Sequence, residues 1–170
     1  MKLSLSIVLF CLSISVFGQE LVSKKVCAKD GVTVKSFDYL LLADYLKIED
    51  DEIKVVNFWA TWCAPCIKEL PHFEKINSEY KKKGVEVILV SLDMAKQVEK
   101  ALIPFIMRRK LGSDVVHLHD VDADVWINKV DPSWSGAIPA TLIISKDRRA
   151  FFEKEFTYDE LQSEILKFIK

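Results

Sequence analysis

The chain carries almost no surplus charge of either sign. Its 24 lysines and arginines are set against 25 aspartates and glutamates, a formal net charge of −1. A balance this close gives the molecule no overall field with which to gather nucleic acid or an anionic membrane, so neither is expected as a partner. Glycine and proline are sparse, five of each in 170 residues, and no repeat or low-complexity tract interrupts the chain. With no linker marked, one domain with an ordinary core is expected. Histidine is scarcer still, at three. A structural zinc site needs about four ligands. His117 and His119 offer the one candidate pair to join a cysteine pair, and they are read instead as a strand edge. No metal is expected.

A hydrophobic run long enough to cross a bilayer is also lacking. The uncharged stretch Leu3–Phe17 falls short of the roughly 20 residues a spanning helix needs. With Lys2 before it and Val16-Phe17-Gly18 at its end, it reads as a secretory signal peptide, residues 1–18, cut before Gln19. A retained anchor is the alternative. Residues 19–170 are then the folded domain, working in the periplasm, where thiols tend to oxidise. Cys27, Cys63 and Cys66 remain in it. Three cysteines leave one over, which argues against a simple disulfide framework.

What the chain does have is alternation. An Asp30-Gly31 turn signal between short β-prone runs predicts a hairpin over residues 25 to 36. Asp38 is placed to cap a short helix. "IKVVNFWA" reads as a strand, and "CIKELPHFEKINSEYKKKG" as a helix with Ile67, Leu70, Phe73 and Tyr80 on one stripe, stopped at Gly84. "VEVILVSLD" suits a strand covered on both faces. "AKQVEKALIPFIMRRKLG" is helical by pattern, with a kink expected at Pro104 and a solvated face at Arg108 to Lys110. A short strand ("DVVHLHD"), a short helix ("VDADVWINKV"), a loop ("DPSWSGAIP"), two strands ("ATLIIS", "RAFFEKEF") and an amphipathic helix complete the chain. The order predicts an α/β domain layered around a mixed sheet.

Within "VVNFWATWCAPCIKELP" the pair Cys63 and Cys66 falls where a strand gives way to a helix. The first-turn N–H groups of a helix have no partners inside it and would point at Cys63. The helix dipole contributes at most about 2 kcal/mol to a thiolate there, roughly 1.5 pKa units. Cysteines in such motifs fall by about 1 to 5 units. Hydrogen bonds must therefore supply the remainder in the stronger cases. Cys63 is read as the nucleophile and Cys66 as the resolving thiol, with Pro65 stiffening the turn without removing a needed donor. A structural bridge would close too small a loop to stabilise much. Peroxidase chemistry would want a lone cysteine among a threonine and an arginine, a cluster the sequence lacks.

The segments "NFWATWCAPC", "KELP" ending in Pro71, and "GAIPATLII" together resemble the thioredoxin superfamily, and within it the exported TlpA/ResA-like thiol-disulfide oxidoreductases. The resemblance spans residues from about Asp50 to the C-terminus. It implies a thioredoxin-like fold: a central mixed β-sheet flanked by helices, here with an N-terminal β-hairpin extension and a helical insertion. It also implies a cis Ile138–Pro139 peptide against the cysteine pair, with the Ile138 backbone binding a substrate strand. Thioredoxins carry a buried aspartate where this chain has Asn57, which cannot take up a proton. Glu69 matches a glutamate of the TlpA/ResA-like proteins and is read either as the proton acceptor for Cys66 or as a surface residue near Lys68 or Lys75. Trp62 is expected to flank the reactive sulfur, and Trp59 to be core. Trp134 is read as part of the substrate groove or as loop packing, and Cys27 as a buried thiol.

The activity implied is reduction of protein disulfides, apocytochrome c among them, with no cofactor and with a membrane thiol-disulfide carrier as electron partner. The alternatives are a general periplasmic disulfide oxidase or isomerase, and a peptide-docking domain with incidental thiols.

Overall fold

The segment Ile53–Trp59 has no face to give to water, since all seven residues are buried. A β-branched and aromatic run of this kind suits a central strand covered on both sides. A computed structural model of the protein describes residues 25–29, 31–120 and 122–169. The expected signal peptide at residues 1–18 lies outside the described residues. Among those described, no helix is long and apolar enough to cross a membrane.

The chain runs β1 (Lys25–Lys29), β2 (Val32–Phe37), α1 (Tyr39–Tyr45), β3 (Ile53–Trp59), α2 (Ala64–Tyr80) and β4 (Val85–Ser91). It continues through α3 (Ile103–Arg109), β5 (Asp114–Leu118), α4 (Ala123–Val130), β6 (Ala140–Ile144), β7 (Arg149–Phe152) and α5 (Tyr158–Leu166). The strands form one mixed sheet in the order β1-β2-β5-β4-β3-β6-β7. β2, β5, β4 and β3 are parallel neighbours, while β1, β6 and β7 pair antiparallel. The expected hairpin forms, with Gly31 at φ +83° in its turn, and β2 carries it into the main sheet.

Alternation along the central strands sorts the core onto two faces. Val55, Trp59, Val87 and Leu89 pack with Leu70, Phe73 and Ile76 of α2, Ile103 and Phe105 of α3, and Leu161 and Ile165 of α5. Val56, Phe58, Ile88 and Val90 pack on the other face with Leu42 of α1 and Trp126 and Val130 of α4. Helices thus cover both faces of the sheet. Phe73 is fully buried in the first of these cores. Phe73→Ala is expected to cost about 3–5 kcal/mol, read as a lower urea midpoint with an unchanged slope.

Local signals account for the ends. The Asp38 carboxylate accepts from the Leu41 N–H at 3.0 Å, capping α1. Thr157 and Glu160 form a reciprocal capping box at α5. After α2, a 3₁₀ turn over Lys81–Lys83 stops at Gly84 with φ +80°.

Two expectations need correction. The helix read over residues 95 to 110 is broken into a 3₁₀ turn (Ala95–Gln97), a π turn (Val98–Leu102) and α3. The three follow one another without a gap, and Pro104 stands in the first turn of α3 directly after the π turn, so the hydrogen-bond ladder is irregular where Pro104 supplies no N–H. Nor is the His117 strand an edge. β5 lies between β2 and β4, and His117 is 1% exposed.

Candidate active site

Parallel strands β3 and β4 end side by side, and β3 delivers the chain directly into α2. Cys63 is the N-cap residue of that helix, in extended conformation. Its sulfur accepts a hydrogen bond from the Cys66 N–H at 3.3 Å, so an otherwise orphaned first-turn donor points at the sulfur. Cys63 and Cys66 are joined in a disulfide with their Cα atoms 5.3 Å apart. Pro65 falls in the first turn, and Pro71 lies within the helix. Cys66 is fully buried, and Cys63 keeps only 5% of its surface. Access to the Cys63 sulfur is therefore confined to one small window.

The window is framed by residues from two loops. Trp62, next to Cys63, is 66% exposed, whereas Trp59 is core. From the far side, the Ile138–Pro139 peptide is cis, and the Ile138 carbonyl oxygen lies 3.7 Å from the Cys63 sulfur. In the disulfide that sulfur has no hydrogen to donate, so this is a packing contact; the reduced thiol would have an acceptor there. Ile138 is half-buried and Pro139 buried. Trp134 corrects the groove reading. At 4% exposure it offers a substrate almost nothing. It packs on Phe58, Trp126 and Phe151, and its indole N–H donates to the Ala137 carbonyl at 2.8 Å. Its effect is to support the loop that carries Ile138.

Behind the disulfide lies a buried carboxyl group. Glu69 is one turn beyond Cys66 on the same helix face and has no exposed surface, which excludes the surface reading. One oxygen accepts from the Asn57 side-chain amide at 2.8 Å, the other from the Phe156 N–H at 2.7 Å. Asn57 comes from β3, and the antiparallel register sets it opposite Thr141, whose hydroxyl also accepts from that amide. Burial pushes the Glu69 carboxyl up to about 7, against the opposing pull of the Phe156 and Asn57 hydrogen bonds. The Asn57 carbonyl oxygen is buried with no hydrogen-bond partner among the described residues. Asn57 thus supplies a donor to Glu69, where an aspartate would have supplied a second titrating group.

No group of three or more histidine, cysteine, aspartate or glutamate side chains among the described residues could hold a metal ion. Cys27 is buried and has no disulfide partner among the described residues.

The sequence model of the AhpC/TSA family matches residues 25–149, most of the chain. The chain belongs to the AhpC/TSA family. The thiol-disulfide oxidoreductase ResA of Bacillus thuringiensis is 45% identical over 127 residues, covering 71% of this chain and 68% of that one. The ResA of Halalkalibacterium halodurans is 35% identical over 91 residues, 54% of this chain and 47% of its own length. The match therefore spans about half of that relative and two thirds of the other. A thioredoxin-related protein from Neisseria meningitidis serogroup B shares the fold, with a TM-score of 0.61 at 21% identity over 74% of this chain and 88% of its own. The fold is thioredoxin-like.

In this AhpC/TSA chain, one part of the site went unread in the sequence. Asp93, 2% exposed, follows β4 and holds Thr61, two residues before Cys63. The signal was available: a carboxylate directly after the apolar run of "VEVILVSLD", just past the C-terminal end of a central parallel strand. His117 belongs to the same group, since its Nε2–H donates to the Asp93 carbonyl at 2.7 Å and its Nδ1 accepts from Ser36 at 2.9 Å.

Proposed function

We propose that this chain is an exported thiol-disulfide oxidoreductase that reduces disulfides in other proteins. The observation that carries the reading is one arrangement: a cysteine pair at the start of α2, a fully buried carboxyl group one turn further along the same helix, and the Ile138 carbonyl in front of the Cys63 sulfur. Reduced Cys63, as a thiolate, attacks one sulfur of the substrate disulfide. That bond breaks, the second substrate sulfur leaves and takes a proton, and a mixed disulfide forms. Cys66 then gives its proton to Glu69 and attacks the Cys63 sulfur. The Cys63–Cys66 bond re-forms and the first substrate sulfur leaves as a thiol. Two electrons have passed to the substrate, and a membrane-embedded dithiol carrier restores the pair.

The exposed face of Trp62 and the backbone at Ile138 and Pro139 supply the substrate contact, the latter by main-chain pairing in the manner of an added strand. The TlpA/ResA-like resemblance supports apocytochrome c cysteines as the substrate, and residues 1–18 support export to the periplasm as a cleaved signal.

Direction follows from potential, where about 30 mV is worth 1.4 kcal/mol. Equilibration with glutathione is expected to give a reducing couple; a value near about −120 mV, typical of a strong oxidase, would overturn the reductase assignment. Cys66→Ala is expected to stop the cycle at the mixed disulfide, so that mass spectrometry of material bound to Cys63 names the substrate. Absence of cytochrome precursors from that trap would remove the maturation role while leaving the exchange chemistry intact.

A further inference from the structure

Asp93 is a carboxyl group buried at 2% exposure, outside the cysteine–glutamate line and contributed by a different strand. Every hydrogen bond to its carboxyl oxygens comes from a donor near the end of β3 or β4. The Thr61 N–H approaches the two oxygens at 3.3 and 3.1 Å, the Thr61 hydroxyl donates at 2.5 Å, and the Ser91 hydroxyl donates at 2.8 Å. The Asp93 backbone is fixed as well. Its N–H donates to the Ser91 hydroxyl oxygen at 3.2 Å, and its carbonyl accepts from His117 of β5 at 2.7 Å. His117 is in turn held by Ser36 of β2. A polar chain thus crosses β2, β5 and β4 and ends on Thr61, just ahead of Trp62 and Cys63.

The backbone it meets is short, held at one end by the Leu92 N–H on the Trp59 carbonyl at 2.7 Å and at the other by the first turn of α2. Between the end of β3 at Trp59 and the N-cap Cys63, the Cys63 N–H bonds back to Ala60 at 3.1 Å, and the Thr61 N–H is spent on Asp93. A sulfur that depends on one N–H at 3.3 Å is sensitive to small movements of this segment, because hydrogen bonds weaken steeply with distance and angle.

We propose that Asp93 is a positioning residue of the redox centre: it clamps Thr61, and through Thr61 the Trp62–Cys63 backbone, so that the Cys63 sulfur stays in line with the Cys66 N–H. Asp93 acts through Thr61 and does not touch the reacting atoms. The inference rests on the redox reading of the Cys63–Cys66 pair. Loss of the clamp weakens the hydrogen bond that favours the thiolate, so the dithiol form loses stability relative to the disulfide.

The test uses the full domain and needs no protein substrate. Two readouts are taken: the ultraviolet titration of the Cys63 thiolate, and the equilibrium in which the Cys63–Cys66 disulfide and two glutathione thiols give the dithiol and one glutathione disulfide. Thr61→Val removes the hydroxyl donor and keeps the N–H; Thr61→Ser restores the hydroxyl. Thr61→Val is expected to raise the Cys63 thiol pKa and to shift the equilibrium about three- to tenfold toward the disulfide, the size of one ordinary hydrogen bond and less than a full bond to a charged group, because the effect reaches the sulfur through Thr61. Thr61→Ser is expected to recover the parent values, and Asp93→Asn to move both readouts in the same direction as Thr61→Val. If Asp93→Asn fails to fold, the threonine pair carries the test alone. Folded Thr61→Val with unchanged thiol titration and unchanged equilibrium would overturn the clamp and leave Asp93 a purely structural residue. Failure of the parent protein to exchange with glutathione at all would instead overturn the redox reading beneath it.

Discussion

Glu69→Gln is expected to slow resolution of the mixed disulfide about hundredfold while leaving the first attack by Cys63 near its parent rate. A positioned general base contributes roughly 10²- to 10⁴-fold, and Cys66 is buried away from water that could replace it. The amide cannot accept the Cys66 proton at any working pH. In the parent protein, only the ionised carboxylate accepts it, so the resolution rate should climb as pH rises through about 7, the value to which burial pushes Glu69. In the variant that step should vanish. Stopped-flow release of the second thiol from a model disulfide, measured from pH 5 to about pH 9, checks both points. A variant that retains the step near neutrality would assign it to another group.

The same shift makes a stability prediction of opposite sense. The Glu69 pKa is raised from its ordinary 4.5 in the folded state, so between pH 4.5 and about 7 the folded chain holds a proton that the unfolded chain releases. Unfolding becomes easier as pH rises through that window, by about 3 kcal/mol at its upper end. Glu69→Gln has no such cost. Its stability relative to the parent should therefore improve from pH 4 toward pH 8, by up to about that amount. Packing permits the change: the glutamine oxygen can accept one of the two donors, and rotation of the Asn57 amide would turn its unpartnered carbonyl oxygen to the new N–H₂. Urea unfolding of the oxidised protein across that range reads it directly.

The second large effect separates the two cysteines. In the reduced protein, Cys63→Ser is expected to abolish both exchange with disulfides and alkylation at neutral pH. Cys66→Ser should keep rapid alkylation at Cys63 but lose turnover. The difference follows from position. Cys63 has the remaining surface and the N–H of Cys66, while Cys66 has no exposed surface at all. A thiolate that is stabilised and reachable reacts; a covered thiol does not. Equal alkylation of the two single variants would overturn the assignment of nucleophile and resolving thiol.

Much of the site lay on single elements and could be read from the chain. Cys63, Pro65, Cys66 and Glu69 share one strand-to-helix junction and one helix face, so spacing alone relates them. The hairpin, the Asp38 cap and the Gly84 stop are equally local. His117 was misplaced, and the choice between groove and packing for Trp134 stayed open, for a common reason. Each lies in a stretch that local patterning describes as surface, and each is buried by partners far away in sequence: Phe58 and Phe151 for Trp134, Ser36 and Asp93 for His117. Short polar strands read as edges unless the strand order is known. The broken helix before β5 was missed because an apolar period does not distinguish a π turn from an α turn across a few residues.

The residues by themselves determined that a cysteine would stand at the start of a helix, since strand propensity, Pro65 and the two-residue spacing act over less than two turns of chain. Tertiary structure alone decided how that thiol is served. Register sets Thr141 against Asn57, burial raises Glu69, and parallel pairing of β3 with β4 brings Asp93 to Thr61. Each depends on desolvation or on contact between distant segments, and neither is a property of any short stretch of sequence.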